Sequence, residues 1–434
     1  MKSSPLLAIV PLLIFILVFL GAGIYFNDFY LLPSPIAALV GIIAAFILLK
    51  GSVEAKMSTF FAGCGDRKIL SMCIIYLLAG AFATVSKAIG SVDVIVAYGL
   101  KMIPAAYIPA GFFLIAAFIS IASGTSVGTI VALGAVAVGF ADQGININFI
   151  GAALIGGAML GDNLSLISDT TIAATQSLQC QMKDKFKVNL FIALPAALVT
   201  FIIYIVFAEH PSGSPITHPE TTSQHLVLAL PYIAVIILSL VGLDVFVVLV
   251  LGVLMSGVLG FYFSDLEVIT FSKTIYDGFT GMQEIFLLSL LTGGLAAMVE
   301  QAGGIRYILK LVEKRITSYK TALLGVGCLT AIVDLATANN TISIIITGKI
   351  AKTVSDKFNI QPRDMASVLD IFSCVVQGLL PYGAQVLILI GLSHNKIHYL
   401  DLLSYSFYPF LLFLSTTLTI LLKNHRNASH SATP

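Results

Sequence analysis

Apolar runs long enough to cross a bilayer recur from one end of this chain to the other, beginning with Leu6 to Phe26, Ile36 to Leu49, Ile69 to Val85 and Pro104 to Ala122. A hydrocarbon core needs about 20 apolar residues of helix to span it, and about 10 to 12 such segments can be drawn. In lipid, backbone N–H and C=O groups must be paired within a helix or around a closed barrel, and barrels are written as short alternating strands. These runs are continuous, so the sequence predicts an all-α, polytopic transmembrane helical bundle. Composition agrees, since 58% of the 434 residues are apolar and 10% are charged, whereas a soluble domain carries about 25% charged residues.

Net charge is +1, which argues against nucleic acid as a partner; the placement of the charges says more. Lys50, Lys56, Arg67 and Lys68 cluster after the second apolar run, Lys183, Lys185 and Lys187 follow mid-chain, and Arg306, Lys310, Lys314, Arg315 and Lys320 form the densest group. By the positive-inside rule these loops are expected in the cytoplasm. Residues 209–225 hold His210, His218 and His225 but no Lys or Arg, so they are expected outside, as a linker between a first transmembrane repeat, 1–208, and a second, 226–422. Residues 423–434 read as a cytoplasmic tail. Met1-Lys2 and the apolar run behind them read as an uncleaved first helix rather than a signal peptide, since no A-x-A site follows. The five cysteines lack zinc or disulfide spacing.

Transporters are often built from inverted repeats whose binding sites lie where helices break near the bilayer midplane. Polar interruptions of apolar segments occur here in the same order in each half. Ser123-Gly124-Thr125-Ser126 and the run GDNLSLISDTT from Gly161 to Thr171 lie in the first half; Asp334 to Thr341, then Asp370 to Ser373 and Gln377 to Pro381, lie in the second. Asp162 and Ser165 share their spacing with Asp370 and Ser373, and Gln377 then falls where Asp169 sits. The expected architecture is two inverted repeats with broken or re-entrant helices.

A carboxylate inside a bilayer costs about 2.5 to 3.5 kcal/mol on insertion scales, so intramembrane acids are functional candidates by default. Asp162, Asp169, Asp334 and Asp370 are the sharpest. Asp162 and Asp169 would be about 10 Å apart on a continuous helix and share an ion only if it unwinds. Asn163, Ser165 and Ser168 compete for its backbone hydrogen bonds, and Gly156, Gly157 and Gly161 lower its propensity upstream. Freed carbonyls with Ser165, Ser168, Thr170 and Thr171 hydroxyls form a hard-oxygen shell for a small alkali cation, so Asp162 and Asp169 are expected to hold sodium transiently. Asn339, Asn340 and Thr341, with Thr125, Ser126, Ser373 and Gln377, complete the candidate ion or substrate site. The bland alternative is that these groups cap half-helices and glue neighbouring spans; it weighs more for Asp334 and Asp370, and more again for Asp244, Asp277, Glu284 and Glu300, which read as helix ends.

Gly124 to Gly128 matches G-x-S-x-G, but the strand-turn-helix context is absent and the histidines lie in or near expected loops. The chain is not read as an enzyme. No phosphate-binding glycine loop occurs and no prosthetic cofactor is implied, so transport must draw on ion gradients.

The run GDNLSLISDTT, with the upstream SGTS followed by Val127-Gly128-Thr129, resembles the signature segments of NhaC-type sodium/proton antiporters of the ion-transporter superfamily, over most of the chain. The usual pattern, approximately GDKxSPLSDTT, is matched at Gly161, Asp162, Ser165, Ser168, Asp169, Thr170 and Thr171; Asn163 stands where lysine is frequent and Leu166 where proline is. The resemblance implies a multi-pass carrier of the bacterial inner membrane exchanging sodium for protons, with Asn339-Asn340-Thr341 and Ser123-Gly124-Thr125 similar to sodium- and substrate-binding tips. The alternative is a sodium- or proton-coupled carrier of an amino acid or organic acid. Expected partners are a small cation, protons, an organic solute in that alternative, and membrane lipid; the assembly is open between monomer and homodimer.

Overall fold

A computed structural model describes residues 6–26, 31–166, 168–208, 223–241, 243–307 and 316–422. The helices used below are, in chain order, α1 (Val10–Phe26), α2 (Ser34–Leu48), α3 (Val53–Cys64), α4 (Arg67–Ala88), α5 (Ser91–Met102), α6 (Ile108–Ser123), α7 (Ser126–Asp142), α8 (Ile147–Leu164), α9 (Asp169–Leu178) and α10 (Met182–Val206). The second half supplies α11 (Leu230–Leu240), α12 (Val245–Phe263), α13 (Val268–Gly281), α14 (Gln283–Gln301), α15 (Tyr319–Thr337), α16 (Asn340–Lys357), α17 (Pro362–Leu379), α18 (Ala384–Leu392), α19 (Tyr399–Ser404) and α20 (Phe407–Leu422). Among the described residues the regular structure is helical, and 8 helical stretches are long and apolar enough to cross a membrane, with shorter apolar helices beside them. The outside of the bundle is itself apolar, with Phe118, Phe191 and Leu254 exposed, as lipid requires. The linker 209–225 lies mostly, and the tail 423–434 wholly, outside the described residues.

Both expected breaks are present. Two helices, α8 and α17, run 18 residues each and stop; after a gap of extended and turn backbone the chain resumes as the half-helices α9 and α18. Each is preceded by a hairpin, α6–α7 or α15–α16, whose tip is one left-handed residue and one extended N-cap. At the first tip Gly124 has φ 72° and Thr125 φ −148°, and Thr125 accepts from Gly128 N. At the second, Ala338 has φ 48° and Asn339 φ −149°, and Asn339 accepts from Ile342 N. A sharp reversal needs a left-handed residue; glycine supplies it freely, and alanine only under constraint.

Packing relates the halves in the same way. Helix α6 packs on α8 as α15 packs on α17, α7 meets α18 as α16 meets α9, and α10 meets α17 as α20 meets α8. Exchanging the halves maps each contact onto another, as a two-fold relation produces. The helix ends fix the register: Asp162 is third from the end of α8, and Gln377 is third from the end of α17. The counterpart of Asp162 is therefore Gln377 and not Asp370; the shared D-x-x-S spacing is one helical turn and carries no register.

The glycines before the first break act differently from expectation. Helix α8 passes through Gly156, Gly157 and Gly161 unbroken and stops after Leu164. Gly157 and Gly161 instead let α6 approach: a Cβ on Gly157 would lie 2.1 Å from Phe113 O, and one on Gly161 2.4 Å from Ala117 O. Small residues four apart are the usual device for close helix contact in lipid. Lys56 also departs from expectation: it is buried, and its Nζ donates to Phe46 O in the last turn of α2. Gly157→Val should force α6 from α8 and lower stability by at least about 1 to 3 kcal/mol, read as a fall in thermal unfolding temperature in detergent.

Candidate functional site

The ends of α8, α9, α17 and α18 meet the tips of both hairpins, and their polar groups join across the halves. Asp162 is buried. Its Oδ2 accepts from Ser126 Oγ at 2.8 Å and its Oδ1 from Thr170 Oγ1 at 3.4 Å. Ser126 Oγ in turn accepts from Gln385 Nε2 at 3.1 Å, and Gln385 Oε1 accepts from Gln377 Nε2 at 2.9 Å. Gln377 Nε2 also donates to Ala338 O, at the tip of the second hairpin, at 3.3 Å. One chain of hydrogen bonds thus runs from the first break, through the first tip and the second break, to the second tip. Gln377 Oε1 meets no donor among the described residues.

The unwound segment is held by its own hydroxyls. Ser168 caps α9 by accepting from Thr171 N, donates to Asp162 O at 3.1 Å, and lies 3.1 Å from Thr170 Oγ1. Ser165 Oγ donates to Ile121 O, and Thr171 Oγ1 donates to Ser165 O. These bonds replace the ladder that a continuous helix would have had, as buried backbone requires.

Behind Asp162 lies a second cluster, around Asp370. Asp370 is buried, and its Oδ2 accepts from Asn163 Nδ2 at 3.0 Å and Asn189 Nδ2 at 2.8 Å and stands 2.5 Å from Lys185 Nζ. Lys185 also donates to Thr171 Oγ1 at 2.6 Å and Asn163 O at 3.2 Å. A cation therefore reaches the neighbourhood of Asn163, but from α10 and not from residue 163 itself.

Of the residues expected from sequence, Asp162, Asn163, Ser165, Ser168, Thr170, Ser126, Asp370 and Gln377 meet in these two clusters. Asp169 does not: it stands exposed in the first turn of α9, because the chain has already resumed its helix there and turns Thr170 inward in its place. Ser373 closes on its own helix by donating to Asp370 O. Thr125 and Asn339 are spent as N-caps, Asn340 Oδ1 accepts from Thr341 N, and Thr341 is buried. Asp334 is fully buried in the last turn of α15, and neither of its carboxyl oxygens meets a donor among the described residues. Asp244 is a helix N-cap, as expected, and Asp142, away from the site, pairs with Lys87 and Lys396.

Three site residues escaped the sequence. Lys185 falls with the expected cytoplasmic loop by sequence but is 1% exposed. Its signal was helical spacing, since Lys185 and Asn189 lie one turn apart on the face that also buries Ile192, Ala193, Ala196 and Thr200. The third, Gln385, is a lone amide in the apolar run Ala384–Leu392.

Broken membrane helices that pack on one another, with buried acids among them, define a multi-pass membrane transporter. The sequence model of the Na+/H+ antiporter family matches residues 1–208 and 216–424, and the chain belongs to that family, as a multi-pass protein of a bacterial membrane. It is 23% identical to the malate-2H+/Na+-lactate antiporter of Bacillus subtilis, with 95% of this chain and 93% of that protein covered. It is 24% identical to the Na+/H+ antiporter NhaC of Bacillus subtilis over 82% of this chain and 84% of the relative, and 23% identical to NhaC of Alkalihalophilus pseudofirmus over 80% of each. Among solved structures it is similar to the YdaH transporter of Alcanivorax borkumensis, at a TM-score of 0.40 and 13% identity, covering 84% of this chain and 86% of that one.

The Gln385 bridge carries a stability expectation independent of transport. Gln385→Leu keeps the volume but unties Ser126 from Gln377, and should lower stability by about 1 to 3 kcal/mol, measured by thermal unfolding in detergent.

Proposed function

We propose that this protein exchanges sodium for protons, with Asp162 as the carboxylate on which the two compete. The observation that carries this reading is the setting of Asp162. It is a buried acid at a helix break, held by the hydroxyls of Ser126 and Thr170, and no Lys or Arg pairs with it among the described residues. Such a carboxylate is neutral only while it carries a proton or a cation, so loading one excludes the other. Ser126, Thr170 and the carbonyls freed at the break supply further hard oxygens for sodium. Gln385, with Gln377 bonded to it, joins this carboxylate from the opposite half by way of Ser126, so alternate exposure moves both halves about one site. Repeats at 1–208 and 226–422, inverted in the membrane, suit that motion. Asp334, with no donor on either oxygen among the described residues, is a second carboxyl at which a proton or cation can sit.

One observation favours a second reading, in which an organic acid moves with the ions. A cavity of about 810 Å³ opens beside the second hairpin, lined by Thr337 and Ile342 together with Asp66, Glu300, Gln301 and Arg306. It has room for a small carboxylate near Arg306, and the Bacillus subtilis relative named above is an antiporter of malate and lactate.

Internal pH in proteoliposomes tests both readings. A sodium gradient alone should move the pH, Asp162→Asn should reduce the response to the level of empty vesicles without unfolding the protein, and Asp169→Asn should leave it near wild type. Normal exchange by a folded Asp162→Asn variant would overturn the assignment. A pH response that needs malate or lactate as well as sodium would select the second reading.

A further inference from the structure

The break after α8 presents oxygen on two sides, and only one of them is met by a positive charge. Asp162 faces hydroxyls; the next residue faces an ammonium. Lys185 Nζ has three N–H groups and three oxygen partners, each from a different element: Asp370 Oδ2 on α17, Thr171 Oγ1 on α9 and Asn163 O at the end of α8. Asn163 O is one of the carbonyls left over where a helix stops, and the C-terminal end of a helix attracts positive charge.

A carboxylate, a hydroxyl and a carbonyl freed at a helix break are the ligands a small alkali cation takes in a broken-helix carrier. Asp370 Oδ1 and Asn189 Oδ1, both buried, meet no donor among the described residues, so further oxygen stands beside the ammonium. The group at the centre is tied to α10 and cannot leave.

The geometry points to Lys185 as a tethered cation filling an alkali-cation site built by Asp370, Thr171 and Asn163. Lys185 neutralises Asp370 permanently, binds α10 to both broken helices, and leaves Asp162 as the carboxylate at this break that exchanges its ion. Asp370 is then a counter-charge and not a sodium ligand in the natural protein. This rests on the exchange reading for Asp162 but concerns a different ligand set.

The test is sodium binding to the purified full-length protein, by calorimetry and by thermal unfolding, with sodium chloride titrated against choline chloride. Lys185→Met should gain a sodium-binding event over wild type and become more stable as sodium is added, and Lys185→Met/Asp370→Asn, which removes both charges, should lose that gain. Should Lys185→Met be obtainable only in sodium, with the double variant obtainable without it, that requirement is the expected result in another form.

No added binding in Lys185→Met, added binding that survives Asp370→Asn, or failure of Lys185→Met to fold in any alkali salt while the double variant folds would each overturn the proposal. The exchange reading fails separately, if wild type shows no sodium binding that depends on Asp162. Asp370-dependent binding in Lys185→Met would stand even then.

Discussion

Two helices end inside the buried core of a membrane protein, and the rest of the structure answers to that. Each end leaves carbonyls and N–H groups with no helical partner and no water to take them. At the first break, Ser165, Ser168 and Thr171 close some of them locally, and Lys185 and Asn189 close Asn163 O from α10. At the second, Tyr399 donates its hydroxyl to Leu379 O at the end of α17. The polar residues of the core are there because the backbone is interrupted, and the interruption in turn lets the carboxylate of Asp162 sit buried among groups of both halves.

The halves use one backbone plan with different chemistry. Thr125 and Asn339 cap the same kind of tip from the same extended conformation, and Asp162 and Gln377 occupy the same place in helices of equal length. An acid in one half and an amide in the other are joined through Ser126 and Gln385 into one hydrogen-bonded centre spanned by both halves. On the exchange reading proposed for Asp162, a symmetric frame rocks about this centre while asymmetric chemistry loads one ion. Close approach of α6 to α8, which Gly157 and Gly161 permit, holds the first hairpin rigidly against the broken helix.

The membrane class, the two breaks, their order and most of the polar cluster were legible in the sequence, because lipid punishes polar residues and exposed backbone so heavily that each exception marks itself. Asp162, Ser126 and Thr170 stood out on that ground alone. Lys185 did not, since a lysine at the end of an apolar run usually lies in the loop, and only the packing of α10 against α17 buries it. Asp169 misled for the complementary reason: its acid character was visible, but the residue at which α9 resumes decides which side chain faces inward.

Sequence by itself determined that the chain crosses a membrane as helices and interrupts them at GDNLSLISDTT and beyond DLATANNT, since hydropathy and backbone hydrogen bonding are local properties. Tertiary structure alone decided the register of the halves, the pairing of Asp162 with Ser126 and of Asp370 with Lys185, and the bridge through Gln385. Those contacts join residues far apart in the chain, and they follow from the packing of the broken helices on one another, which no local spacing encodes.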